Sequence, residues 1–187
     1  ATAEDLPEMS FAGQQDTYLN VRGEEALLRA VTDCWASLWT ARAIGYRQRQ
    51  AVGQTDISLA VVVQQMVQSE SSGVLFTANP LSGLRGETVI DATLGLGEGL
   101  VSGLVEPDHY VVDMRAGQIS HKTLGAKALA VVSRAEGGVH SVETGAAARQ
   151  ALPDAQILAL AEMGQRVAEG WGAPQDIEWA WDGERLY

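Results

Sequence analysis

Between Ile57 and Pro80 the chain sets two apolar, β-branched runs on either side of a polar connection, a pattern that asks for a sheet. The first run, Ile57 to Val67, carries the neighbouring amides Gln64 and Gln65 near its end. The connection Gln68-Ser-Glu-Ser-Ser-Gly73 leads into the second run, Val74 to Pro80. Two readings stay open. The runs are sequential strands of a core sheet, or the first is a strand whose polar end walls a flat ligand's pocket. In the second case backbone groups past Gln64 read the edge of a purine.

The rest of the chain bounds what that sheet belongs to. A length of 187 residues suits one domain, or one domain and a lobe, and 46% apolar content can bury a core. The net charge of -11 argues against a nucleic-acid partner and against an anionic membrane surface. No apolar run approaches the roughly 18 residues of a spanning helix, and no signal-peptide pattern is visible. Cys34 is the single cysteine, so there is no internal disulfide or cysteine zinc cluster, in keeping with a cytoplasmic location. The chain opens on Ala1 without an initiating Met and stops at Tyr187, soon after the turn pair Asp182-Gly183. That pair predicts a hairpin with arms Ile177 to Trp181 and Glu184 to Tyr187. The second arm looks cut, so the chain reads as a fragment of a larger protein.

Apolar spacing predicts a helix over Glu24 to Arg47, with Leu27, Leu28, Val31, Cys34, Trp35 and Leu38 as its buried stripe. Trp35 and Trp39 read as core or lobe-packing residues. Thr88 to Ala92 is a strand. His109 to Asp113, Gln118 to Ser120, Lys127 to Ser133 and Val139 to Glu143 alternate as short strands of a meander. A second helix runs from Pro153 to Trp171, stopped by Gly172, with Ile157, Leu160, Ala161, Gly164, Val167, Ala168 and Trp171 on its buried face.

Three stretches are candidate sites. Phe11 to Thr17 places Gly13 where a backbone can approach a ligand; it has no Lys and is no Walker loop, and an ordinary surface loop is the other reading. Gly95, Gly97, Gly99 and Gly103 either cradle phosphate through main-chain amides or form a tight strand-to-helix corner. In Pro174 to Trp179, period two puts Asp176 and Glu178 on one strand face, a pair that suits a hard divalent cation or simply solvent. His109, His121 and His140 have no partner at ligand or triad spacing and read as surface or strand histidines.

Taken in order, Ala1-Thr-Ala-Glu-Asp-Leu-Pro7, Ser10 to Asn20, Ser72 to Pro80, Gly95 to Glu98 with Val101-Ser-Gly103, and Pro174 to Trp179 resemble one family. It is the nucleotide-binding domain of the phosphoenolpyruvate synthase, pyruvate phosphate dikinase and rifampin phosphotransferase superfamily, and Phe76 to Pro80 with Gly99 to Asp108 resemble its rifampin branch. The resemblance covers nearly the whole chain, residues 1–187. It implies an α+β, ATP-grasp-type domain, with a mixed, largely antiparallel sheet and flanking helices, truncated at both ends. It implies ATP and Mg²⁺ as cofactors. Gly13 to Thr17 would lie over the phosphates, Gln64 would contact the nucleotide, Met66 and Val67 would form the adenine hinge, and Glu178 would hold Mg²⁺ and ATP. In that family a histidine on a separate swivelling domain takes the β-phosphate and passes it to pyruvate or a rifamycin hydroxyl, releasing AMP and phosphate.

Several family features lie outside this sequence: an upstream Lys, the Arg-Ser-Ser before Ala1, the Gln-x-Arg past Tyr187 and the Thr-His-x-Gly-Gly motif. Implied partners are therefore the rest of the same polypeptide: the N-terminal lobe, the swivelling phosphohistidine domain and an acceptor-binding domain. No catalytic residue is assigned within the 187 residues. Two function classes follow, the MgATP-binding piece of a phosphotransferase and a non-catalytic nucleotide-binding or interaction module.

Overall fold

The computed structural model describes residues 5–6, 9–10, 15–49, 57–145 and 149–187. The chain divides into two units, Ala1–Met66 with Arg134–Gly138, and Val67–Ser133 with Val139–Tyr187.

In the first unit β1 (Asp5–Leu6) and β2 (Met9–Ser10) pair antiparallel. Helices α1 (Glu24–Ser37) and α2 (Ala41–Arg49) follow. The single helix expected over Glu24 to Arg47 is thus two. Its break has a local cause at Thr40. The Thr40 hydroxyl accepts the Ala43 amide (3.3 Å) and the Thr40 carbonyl accepts that of Ile44 (2.9 Å), so Thr40 caps a new helix. Just before it, Leu38 and Trp39 bond back only three residues, to Trp35 and Ala36, which tightens the last turn of α1. The expected burial of α1 also fails in part. Leu27, Leu28, Trp35 and Trp39 are exposed, while Leu38 is buried.

No strand forms over Ile57 to Val67. Residues 57–69 carry no regular structure, and Val62 is 82% exposed. A β-branched run has strand propensity, but a strand exists only where a neighbour takes up its backbone hydrogen bonds. Among the described residues none pairs with this run.

The second unit holds β3 (Ser71–Phe76), β4 (Glu87–Leu94), the short α3 (Glu98–Val101), β5 (Asp108–Asp113), β6 (Gln118–Thr123), β7 (Leu129–Ser133), β8 (Val139–Glu143), α4 (Asp154–Trp171) and β9 (Asp176–Trp181). Five strands form an antiparallel sheet in the order β6-β5-β4-β3-β9. β7 and β8 make a separate two-stranded sheet, so the expected four-strand meander is two hairpins. The chain leaves β6 through a sharp turn. A Cβ on Gly125 would lie 2.2 Å from the Pro107 carbonyl oxygen, and Lys127 takes a left-handed φ of 41°. The fold is α+β with a mostly antiparallel sheet, as the sequence implied.

One sheet face packs against α4. Leu75, Ile90, Tyr110, Val112, Leu152, Ile157, Leu160, Ala161 and Trp179 form its core. Each large apolar side chain buried here is worth about 1.5–3 kcal/mol. Gly164 lets α4 close on β3, since a Cβ there would sit 2.6 Å from Leu75 Cδ2. Gly172, at φ 71°, caps the helix in the left-handed conformation. The buried stripe ends near Gly164. Val167 and Trp171, expected inside, are exposed, because the last helical turns run past the sheet's apolar patch. Among the described residues no helix is long and apolar enough to cross a membrane.

A charged network sits inside the second unit. Lys127 and Asp108 are fully buried and paired, and the Lys127 ammonium also donates to the Gly125 carbonyl (2.8 Å). The Asp108 carboxylate further accepts the Gly125 amide (3.0 Å), the Tyr110 hydroxyl (2.8 Å) and the Ala151 amide (2.7 Å). Burial, then the Asp108 carboxylate, pushes the Tyr110 hydroxyl far above its ordinary pKa. This network ties the start of β5 to the turn before β7 and the approach to α4.

Candidate functional site

The alternation of β9 decides the sheet's second face. Ile177 and Trp179 turn to the core, while Asp176 and Glu178 are exposed on the opposite face. Neither carboxylate has a hydrogen-bond or ion-pair partner among the described residues. The strand register sets a cross-sheet row through Glu178: Val74 on β3, Asp91 on β4, His109 on β5 and Thr123 on β6.

All three histidines lie on strands, as expected, and the row gives two of them partners. His109 Nδ1 lies 2.7 Å from Asp91 Oδ1, across 18 residues of sequence. His121 Nε2 lies 2.9 Å from the Thr123 hydroxyl, and the two imidazoles meet edge-on with centroids 6.3 Å apart. His109 and His121 therefore have partners that sequence spacing did not reveal. The signal was the alternation of both strands, but it could be used only with their register known. His140 has no such pairing, and its Nδ1 is buried without a partner.

The glycine-rich stretch after β4 is a packed corner. A Cβ on Gly95 would lie 2.3 Å from the Val131 carbonyl oxygen. The amides of Gly95, Leu96 and Gly99 donate to Glu70, Val131 and Leu96, and the hydroxyls of Ser69 and Ser72 donate to the Gly95 carbonyl (3.1 and 2.6 Å). Amides committed in this way to protein carbonyls are not offered to phosphate.

In the first unit, Gly13 lies outside the described residues, while Thr17 is exposed. The neighbouring Asp16 is fastened to the helices. Its amide donates to the Ser37 hydroxyl (3.2 Å), its carbonyl takes the Cys34 thiol (3.5 Å) and its carboxylate takes Arg42 (3.3 Å). Gln64 is exposed and Met66 half-buried in this unit; Val67, half-buried, belongs to the second unit with Glu178.

The donor chemistry of Asp176 and Glu178 fits Mg²⁺. They are hard, unpartnered carboxylate oxygens on one exposed face, and Mg²⁺ is commonly held by one or two carboxylates with water and substrate phosphates completing its shell. Among the described residues no group of three or more His, Cys, Asp or Glu side chains is placed to hold a metal, so a protein-only cage is not the arrangement.

Comparison with known proteins places the chain in a nucleotide-binding family. The family described as "Pyruvate phosphate dikinase, AMP/ATP-binding domain" matches residues 1–187. A rifampicin phosphotransferase of Streptomyces sviceus is 52% identical over 96% of this chain and 21% of its own length. A probable phosphoenolpyruvate synthase of Pyrococcus horikoshii is 48% identical over 97% of this chain and 23% of its own. A rifampicin phosphotransferase of Bacillus subtilis is 46% identical over the whole chain and 22% of its own length. The chain spans about a fifth of the length of these relatives.

Proposed function

This chain belongs to the pyruvate phosphate dikinase AMP/ATP-binding domain family, and from that premise we propose that it binds MgATP within a longer cytoplasmic phosphotransferase of the dikinase type. The observation that carries the reading is the exposed, unpartnered pair Asp176 and Glu178 on β9. In this reading Glu178 holds Mg²⁺ through its carboxylate. Thr17 and the backbone at Gly13 face the phosphates, Gln64 contacts the nucleotide, and Met66 and Val67 meet the adenine. Mg²⁺, when bound, neutralises phosphate charge and polarises the phosphoryl oxygens. The residues of this chain bind and orient the nucleotide. The acceptor histidine belongs to another, swivelling domain, and AMP and phosphate are the further products.

For the final acceptor we propose a rifamycin hydroxyl, which would make the protein an antibiotic-resistance enzyme. The support is the 52% identity to a rifampicin phosphotransferase. Pyruvate is the second reading, supported by the 48% identity to a phosphoenolpyruvate synthase. Product analysis on the full polypeptide decides between them: AMP release that depends on rifampicin supports the first, and AMP release that depends on pyruvate the second. No AMP release with either acceptor would leave a nucleotide-binding module without this chemistry.

By itself the 187-residue chain is expected to bind MgATP no tighter than about millimolar and to release no AMP. It has two lysines. Lys127 is buried against Asp108, and Lys122 is engaged by Asp154 and Gln150. Neither is free to neutralise phosphate, and the net charge of -11 opposes an anionic ligand. Micromolar binding in a MgATP titration of the chain, or steady AMP production, would overturn this.

A further inference from the structure

The segment from Gln15 to Asn20 has no regular secondary structure, yet it is fastened at both ends. At one end is the Ser37 hydroxyl, which accepts the Asp16 amide and itself donates to the Cys34 carbonyl (2.7 Å). Ser37 is 2% exposed, so its side chain is held inside the unit while the bonds it makes are part-buried. At the other end is Asn20, also buried, in a left-handed conformation with φ 52°. Its side-chain amide donates to the carbonyls of Arg134 (2.7 Å) and Gly138 (2.8 Å), its Oδ1 accepts from Arg22 (3.3 Å), and its own carbonyl accepts the Gly138 amide (3.0 Å). Between these anchors Thr17 and Tyr18 stay exposed.

We propose that Ser37 and Asn20 are positioning residues that hold the Gln15–Asn20 segment in shape, so that Thr17 is presented to the nucleotide phosphates without having to be ordered on binding. This rests on the reading of Gly13 to Thr17 as the phosphate-facing loop. The physical case is one of entropy. A segment without helix or sheet hydrogen bonds must be ordered by something else, and ordering it before the ligand arrives lowers the cost of binding. The left-handed φ at position 20 favours Gly, Asn or Asp. Of these only Asn supplies two donors for two facing carbonyls. Ser37 fills a matching role, since a small hydroxyl can accept and donate at once in a buried site.

The test separates anchoring from nucleotide binding. In the full polypeptide, Ser37→Ala and Asn20→Asp should each raise amide hydrogen exchange at Gln15–Asn20 at least tenfold, leaving the sheet amides of the second unit protected. Each should also weaken MgATP affinity about tenfold, and Ser37→Thr, which keeps the hydroxyl, should restore both. Unchanged exchange in the two variants, measured without nucleotide, overturns the anchoring whatever the ligand. Raised exchange with unchanged MgATP affinity, where Thr17→Val does weaken binding, overturns the positioning role alone. If Thr17→Val also leaves MgATP affinity unchanged, the phosphate-facing reading of the loop falls, and the positioning role falls with it. If Ser37→Ala does not fold, the comparison of Asn20→Asp with Asn20→Gly, which keeps the backbone conformation, decides in its place.

Discussion

The Lys127 ammonium and the Asp108 carboxylate meet where neither side chain touches water. Removing one partner strands the other as a buried charge, which typically costs about 3–5 kcal/mol. Lys127→Met is therefore expected to lower stability by about that much in urea unfolding. The double variant Lys127→Met/Asp108→Asn should lose less than the sum of the two single variants, because no net charge is left inside. Additive losses would show that the two residues do not act as a pair.

Gly73 lies in the centre of β3 between two strands, and a Cβ there would sit 1.9 Å from the Asp91 carbonyl oxygen and 3.0 Å from the Trp179 ring. The nearer atom is backbone and cannot swing away. Gly73→Ala is expected to cost about 3 kcal/mol or more, at or above the upper end of overpacking effects. Chemical denaturation measures it, and a loss under about 1 kcal/mol would mean that the strands separate more easily than their packing implies.

Glu178→Gln should abolish Mg²⁺-dependent ATP turnover in the full polypeptide, because a neutral amide is a poor substitute for the anionic oxygen that a hard cation prefers. The side chain is exposed, so the unfolding free energy from urea titration should stay within about 0.5 kcal/mol of the parent. Wild-type turnover in the variant would remove Glu178 from the site.

Asp154, in the first turn of α4, receives hydrogen bonds from Lys122 (2.5 Å) and Gln150 (2.7 Å), which hold its carboxyl below the usual range, Lys122 first. A lowered folded-state pKa contributes stability above the unfolded value of about 3.9, and that contribution is lost as pH falls through the folded value. The side chain is 60% exposed, so screening keeps the effect under about 1 kcal/mol. Asp154→Asn should be slightly less stable than the parent at pH 7, and the gap should close in acid. A gap that does not narrow as the pH falls below the unfolded value would assign the loss to something other than ionisation.

The sequence by itself determined what depends on near neighbours. Pro153 and Gly172 bound α4 because a fixed φ suits a helix start and a left-handed φ suits its end. Period two put Asp176 and Glu178 on one face of β9 before any neighbour of that strand was known. The Asp182 carboxylate accepts the Glu184 and Arg185 amides, a local turn that the Asp-Gly pair announced. The ordered motifs sufficed to place the chain in its family. The tertiary structure decided whatever needs a distant partner. Residues 57–67 have every propensity for a strand and form none, because propensity supplies no neighbour. His109 meets Asp91 only through the β4–β5 register, Lys127 meets Asp108 only because the chain turns sharply after β6, and Ser37 holds Asp16 only once α1 has ended where Thr40 begins a new helix. Each of these contacts closes a loop of at least 18 residues. Spacing along the chain encodes helix and strand faces within a few residues, whereas contacts across such loops depend on which packed arrangement offsets the entropy of closing them.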